Sequence, residues 1–156
     1  EYFERLVWDF EGAVGPRGNW GDWRNGLGLD AERIDLLERF VDRIGARLAR
    51  FGMDDARFGL IHADLRLANL LVTDDDTRVI DFDDAGLGWY LYDVATAVSF
   101  MEEREDLDDL LRAWVAGYRR VAPLSAEEEA EIPTFCMLRR MAILAWIGSH
   151  GETDLA

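Results

Sequence analysis

Two short segments of this 156-residue chain hold its reactive side chains. The first is His62-Ala63-Asp64-Leu65-Arg66-Leu67-Ala68-Asn69. The second, Val79-Ile80-Asp81-Phe82-Asp83, sets its first aspartate twelve residues beyond Asn69. Magnesium prefers oxygen ligands in octahedral geometry, keeps several waters, and takes one or two protein groups plus substrate phosphates. One amide and one carboxylate, Asn69 and Asp81, meet that requirement. Phosphoryl transfer asks little more than a hydroxyl in line with phosphorus and screened charge, so one further carboxylate can orient and deprotonate the nucleophile. Asp64 is the candidate base. Asp83 is an additional candidate for the metal, favoured over Asp84 as the nearer of the two. Arg66 has two open readings, a contact to the transferred phosphate or a pair with nearby carboxylates.

The elements around these segments must deliver them to one place. Phe58 to Ile61 has the pattern of a short strand, residues 62 to 69 of a loop, Leu70 to Thr73 of a strand, Asp74 to Asp76 of a turn, and Arg78 to Ile80 of the returning strand. Such a hairpin brings Asn69 and Asp81 to the outer ends of two paired strands, where their side chains can meet one ion. Ahead of it, Ile34, Leu37, Val41, Ile44, Leu48 and Phe51 recur at spacings of three and four. They predict a helix from about Ala31 to Arg50, with Asp30 as N-cap and Gly52 just past its end. The first thirty residues show no sustained period. Trp8, Trp20 and Trp23 among glycines predict an irregular segment pinned to the core by aromatic side chains.

Beyond the hairpin, Ala85-Gly86-Leu87-Gly88 is predicted to be turn-rich, with a helix beginning near Asp93 and another from about Asp106 to Val121. Ser125 and Glu128 form a capping-box signature, and Pro133 is expected to end or kink that short helix before a long apolar one from about Phe135 to Ile147. This last helix is apolar on nearly every face apart from Arg139 and Arg140, which marks it as central. Cys136 lies within it as a buried small hydrophobe.

The run from Leu60 to Val72, then Val79 to Ala85, then Tyr92-Asp93-Val94-Ala95, resembles the aminoglycoside phosphotransferase family, which includes choline and homoserine kinase relatives. The order of base, asparagine and strand-borne aspartate is that of protein-kinase-like enzymes. The resemblance implies an α+β, mostly helical fold. It is the C-terminal lobe of a protein-kinase-like phosphotransferase, with helices around a short β-hairpin that carries the catalytic and metal-binding loops. It also implies that Asp64 is the catalytic base, that Asn69 and Asp81 bind Mg2+ and with it ATP (or GTP), that His62 braces the loop, and that Asp93 holds it from the following helix. Taken alone, His62 is better explained as a buried histidine satisfied by backbone groups, and Asp93 as a helix cap. Where the family carries glycine after the histidine, this chain has Ala63.

Composition sets the limits. The net charge of −15 argues against nucleic acid, which is bound through clustered Lys and Arg, and tilts the substrate towards a cation. No apolar run approaches a membrane span and the first residues lack a signal-peptide pattern, so a cytoplasmic single domain over residues 1–156 is expected. All seventeen basic residues are arginine. Kinases of this fold use a lysine on a smaller N-terminal lobe to hold the nucleotide phosphates. The sequence therefore predicts that the nucleotide-binding lobe is absent from this chain, and that the 156 residues alone are inactive. The expected activity is ATP/Mg-dependent transfer to a hydroxyl of a small molecule: aminoglycoside, amino alcohol or homoserine-like. The alternatives are a non-catalytic pseudokinase or isolated binding lobe, and a haloacid-dehalogenase-type phosphatase, in which Asp81 and Asp83 would form an Asp-x-Asp pair.

Overall fold

The computed structural model of the protein describes residues 5–150. The chain enters through strand β1 (Leu6–Trp8) and helix α1 (Phe10–Val14), within the segment expected to be irregular. Three strand residues and five helical ones are too few to display a period. The Asp9 carboxylate, which accepts the Gly12 N–H at 2.7 Å, is the local signal that starts α1. The aromatic anchoring holds. Trp23, in a 3-10 turn at Trp23–Asn25, is fully buried, and this turn packs against the last helix.

Helix α2 (Ala31–Phe51) follows the predicted period. The Asp30 carboxylate accepts the Arg33 N–H at 2.9 Å, Gly52 ends the helix at φ 83°, and Val41, Ile44, Leu48 and Phe51 are buried on one face. Strand β2 (Phe58–Ile61) has the predicted bounds. The hairpin consists of β3 (Leu70–Val72) and β4 (Thr77–Val79), paired antiparallel with Leu70 opposite Val79. Its second strand starts one residue earlier than predicted, yet Ile80 N–H still bonds the Asn69 carbonyl at 3.0 Å, so Asn69 and Asp81 flank the open end.

Residues 85 to 88 do not form the expected turn. Gly86–Trp89 is strand β5, the centre of a three-stranded sheet, parallel to β1 and antiparallel to β2. A Cβ at Gly86 would lie 2.1 Å from the Leu6 carbonyl oxygen, and one at Gly88 2.4 Å from Ile61 Cδ1. These glycines permit close approach of neighbouring strands, a use of glycine that a turn signal imitates.

Helix α3 (Tyr90–Ala97) starts three residues before Asp93, which therefore sits in its first turn. Helix α4 (Leu107–Tyr118) lies inside the predicted span, and α5 (Ala126–Glu129) carries the full capping box between Ser125 and Glu128. Pro133 neither ends nor kinks α5. It stands in the first turn of α6 (Ile132–His150), where no intrahelical N–H bond is lost. As expected, α6 is central: it packs on α1, α2, α3 and the Trp23 turn, and it buries Phe135, Leu138, Met141 and Ala145. Burial pushes the Cys136 thiol up to about 11, in keeping with an inert side chain. The α+β, mostly helical class follows from these elements. Among the described residues no helix is long and apolar enough to cross a membrane.

Candidate active site

Asp64 lies on the loop between β2 and β3, and its side chain is the hub of the site. Only 7% of the residue is exposed. Arg66 Nε donates to both carboxylate oxygens at 3.0 Å, Asn69 Nδ2 donates to Oδ2 at 3.0 Å, and Arg139 Nη2 reaches Oδ1 at 2.6 Å. Arg66 thus has a carboxylate pair, one of its two sequence-based readings. Three donors on one buried carboxylate fix its orientation.

The loop that presents Asp64 is held from two directions. Asp93, in the first turn of α3, accepts the His62 N–H at 3.0 Å and the Ala63 N–H at 2.8 Å through its two oxygens. One helical turn on, Thr96 Oγ1 accepts the Leu65 N–H at 2.8 Å. Burial raises the Asp93 pKa, although the two backbone N–H bonds pull it down. On the other side, His62 Nδ1 accepts the Asp64 N–H at 3.3 Å, so the ring proton sits on Nε2, which donates to the Ile80 carbonyl at 3.0 Å. This bond joins the Asp64 loop to the strand end that carries Asp81. The ring also packs against Phe82, with centroids 4.8 Å apart.

Ala63 and Asp81 both occupy left-handed backbone, at φ 64° and 65°. For residues other than glycine such conformations are strained and persist where surrounding contacts impose them. The glycine at this place in the family's pattern is thereby explained, and Ala63 is kept in the same conformation by the Asp93 carboxylate.

The residues fit a hydrated magnesium ion. Asn69 spends Nδ2 on the Asp64 carbonyl at 2.8 Å and on its carboxylate, which leaves Oδ1 as the free acceptor. Asp81 is exposed and takes part in none of the ion pairs among the described residues. One amide oxygen and one free carboxylate at the end of a hairpin are the few protein ligands that magnesium takes beside phosphates. Among the described residues no cage of three or more His, Cys, Asp or Glu side chains forms.

Asp83 is exposed, whereas Asp84 is half-buried and lines a cavity of about 180 Å3 with Trp20, Asp64, Arg66, Phe100, Arg139, Ile143 and Trp146. Burial, then the neighbouring Asp64, raises the Asp84 pKa against a smaller lowering by Arg139. Sequence reasoning missed Arg139, Thr96 and Trp20 as members of the site. Arg139 carried a signal: it is a charge inside an otherwise apolar helix, and here it is 3% exposed with its guanidinium over the Trp20 ring at 4.7 Å. Asp81 follows the returning strand of an antiparallel hairpin, whereas the dehalogenase arrangement needs a parallel sheet with crossover helices at that point.

Comparison with known proteins points the same way. The model of the phosphotransferase enzyme family matches residues 14–124. A homoserine kinase from Neisseria meningitidis is 44% identical over 80 residues, covering 49% of this chain and 26% of its own length. The solved structure of a microcompartment-associated aminopropanol kinase superposes with a TM-score of 0.88 at 46% identity, over 97% of this chain and 48% of that one. An amicoumacin kinase solved with AMP-PNP and Ca2+ shares the fold, with a TM-score of 0.71 at 23% identity over 98% of this chain and 45% of its own. The chain thus spans less than half the length of each of these relatives. With the family's motif order intact and its loop geometry built around Asp64, Asn69 and Asp81, the chain belongs to the phosphotransferase enzyme family.

Proposed function

We propose that this chain is the catalytic C-terminal lobe of an ATP- and magnesium-dependent phosphotransferase that acts on a hydroxyl of a small, amine-bearing molecule. The observation that carries the reading is the placement of Asp64 on the wall of the cavity, with Asn69 hydrogen-bonded to it. In the reaction the acceptor oxygen forms a bond to the γ-phosphorus as the bond from that phosphorus to the β-bridging oxygen breaks. The hydroxyl proton passes to Asp64. Asn69 Oδ1 and Asp81 would hold magnesium, which would supply positive charge to offset that of the phosphates. Arg139 holds the Asp64 carboxylate in place from the buried side. Arg66, half-exposed on the other side, is the guanidinium that can turn from Asp64 to the transferred phosphate.

Relatives named for homoserine, aminopropanol and amicoumacin support a small-molecule acceptor, and a relative solved with AMP-PNP supports an adenine nucleotide. In this reading the phosphate-holding lysine comes from a nucleotide-binding lobe outside the 156 residues, because the chain itself has none. A non-catalytic binding lobe would have no need of a buried, triply bonded aspartate beside a free metal-ligand pair. Asp64→Asn tests the base. It keeps the side chain's shape, whereas alanine would leave Arg139 buried and unpaired and confound activity with folding. In the full-length protein the variant should lose about 10²- to 10⁴-fold in kcat and retain nucleotide binding. Near-normal turnover would sink the assignment.

A further inference from the structure

One residue on the rim of the cavity beside Asp64 is placed against its own folding preference. Phe100 follows the end of α3, in left-handed backbone at φ 66°, and it is 69% exposed. That region strains any residue with a Cβ and is open to glycine, and a phenyl group left in water returns little burial in exchange. A single exposed apolar side chain is ordinary. One that is also strained and lines a cavity has a use other than folding. The backbone on either side of Phe100 is tied to the residues that orient the base. The Ser99 N–H donates to the Thr96 carbonyl and the Met101 N–H to the Val98 carbonyl, each at 3.1 Å. Thr96 Oγ1 in turn accepts the Leu65 N–H of the Asp64 loop, and Arg139, which grips Asp64 through Nη2, donates from Nε to Ser99 Oγ at 3.4 Å.

The cavity that Phe100 borders holds water as easily as it holds an alcohol. Its volume of about 180 Å3 corresponds to roughly six waters at ~30 Å3 each. Asp64 can accept a proton from either, so preference for the alcohol has to come from the walls, of which Phe100, Ile143 and Trp146 are the apolar part. We infer that Phe100 determines the choice between an acceptor hydroxyl and water: the acceptor's carbon skeleton packs against its ring, and that contact closes the space beside Asp64 to solvent. The assignment rests on the phosphotransferase reading, which supplies the nucleotide. In the competing reaction a water oxygen forms a bond to the γ-phosphorus as the bond from that phosphorus to the β-bridging oxygen breaks. One water proton passes to Asp64, and ADP and inorganic phosphate are released. Without the phenyl group the acceptor loses its apolar contact on the solvent side and water keeps its place next to the base.

The test uses the full-length protein with ATP and magnesium, as wild type, Phe100→Gly and Phe100→Ala, with 1-amino-2-propanol and homoserine offered as acceptors. Inorganic phosphate and phosphorylated acceptor are measured separately. At a fixed acceptor concentration, both variants should raise the ratio of ATP hydrolysed to acceptor phosphorylated by about tenfold or more, the low end of what a lost apolar contact removes from discrimination. Phe100→Gly should unfold at the wild-type temperature or above it, because glycine is unstrained at this φ. A lower unfolding temperature would mean that the phenyl group serves folding, and would overturn the assignment. An unchanged ratio in both variants would do the same. So would a rise in Phe100→Gly that Phe100→Ala lacks, since alanine keeps the Cβ and the effect would then belong to backbone freedom. A wild type that hydrolyses ATP but phosphorylates neither acceptor has no preference over water for Phe100 to set, and also overturns it. No ADP from any of the three proteins defeats the phosphotransferase reading, and the assignment falls with it.

Discussion

Asp93 shows how much of the site rests on residues that perform no chemistry. Its two oxygens accept adjacent backbone N–H groups of the loop, and one of these belongs to Ala63, whose left-handed backbone is disfavoured for any residue with a Cβ. Asp93→Asn turns one acceptor into a donor that faces an N–H. The expected loss is about 1–3 kcal/mol of stability, measured by denaturant unfolding. Because burial holds the folded-state pKa above the unfolded value of ~3.9, the folded state binds this proton more tightly. The stability Asp93 contributes is therefore complete below the unfolded pKa and declines as pH rises through the folded one. The asparagine variant lacks this titration, so the gap between wild type and variant should widen as pH is lowered from 7 towards 4. A gap independent of pH would contradict this account. At this scale the sequence was legible where partners lie close along the chain. His62, Asp64 and Asn69 share one loop, and the hairpin register carries Asp81 to it. Arg139 meets Asp64 across 75 residues, a pairing that no local spacing encodes. That Asp84 and not Asp83 lines the cavity depends on the bends of the chain past the strand end, which no local pattern encodes.

Among the elements, those with enough turns to show a period were readable and those without were not. Helix α2 and the capping box of α5 sit where their patterns put them, because an apolar face repeated over five turns and a Ser-x-x-Glu pair are each specific to a helix. Strands β1 and β5 were hidden because tryptophan and glycine, which mark turns when read locally, here serve packing: Trp8 is fully buried and Gly86 lets β1 approach. The two glycines of β5 give the element its test. At Gly86 a methyl group would strike backbone, the Leu6 carbonyl at 2.1 Å, so the sheet itself must move. At Gly88 the nearest atom is Ile61 Cδ1, the end of a flexible side chain that can turn aside. Gly88→Ala should cost about 1–3 kcal/mol as ordinary overpacking and Gly86→Ala more than that, by thermal or denaturant unfolding. The reverse order would mean that β1 is not held against β5 by backbone contact. Because β5 runs directly into α3, loosening at Gly86 should also reach Asp93 and the loop it fixes.

Among the described residues, an apolar surface stands exposed on the strands that flank the Asp64 loop. Val7, Leu87 and Leu60 stand opposite one another across β1, β5 and β2, and all three are exposed. Leu71, Val72 and Phe82 are exposed on and just beyond the hairpin that carries Asn69 and Asp81. Single exposed apolar residues are ordinary, but a concentration of them on neighbouring strands marks a surface for a partner or a ligand. The position of the apolar strip depends on strand register and became visible only in the fold. Leu71→Glu separates a surface that a nucleotide or a second lobe covers from one that solvent covers. Leu71 is exposed and opposite Arg78, so within this chain the change should stay within about 0.5 kcal/mol. In the full-length protein the same glutamate should raise the Kd for the magnesium-nucleotide complex about tenfold or more, since a carboxylate would be desolvated beside phosphate. Unaltered nucleotide affinity with unaltered stability would show that the hairpin face remains in water when the nucleotide binds.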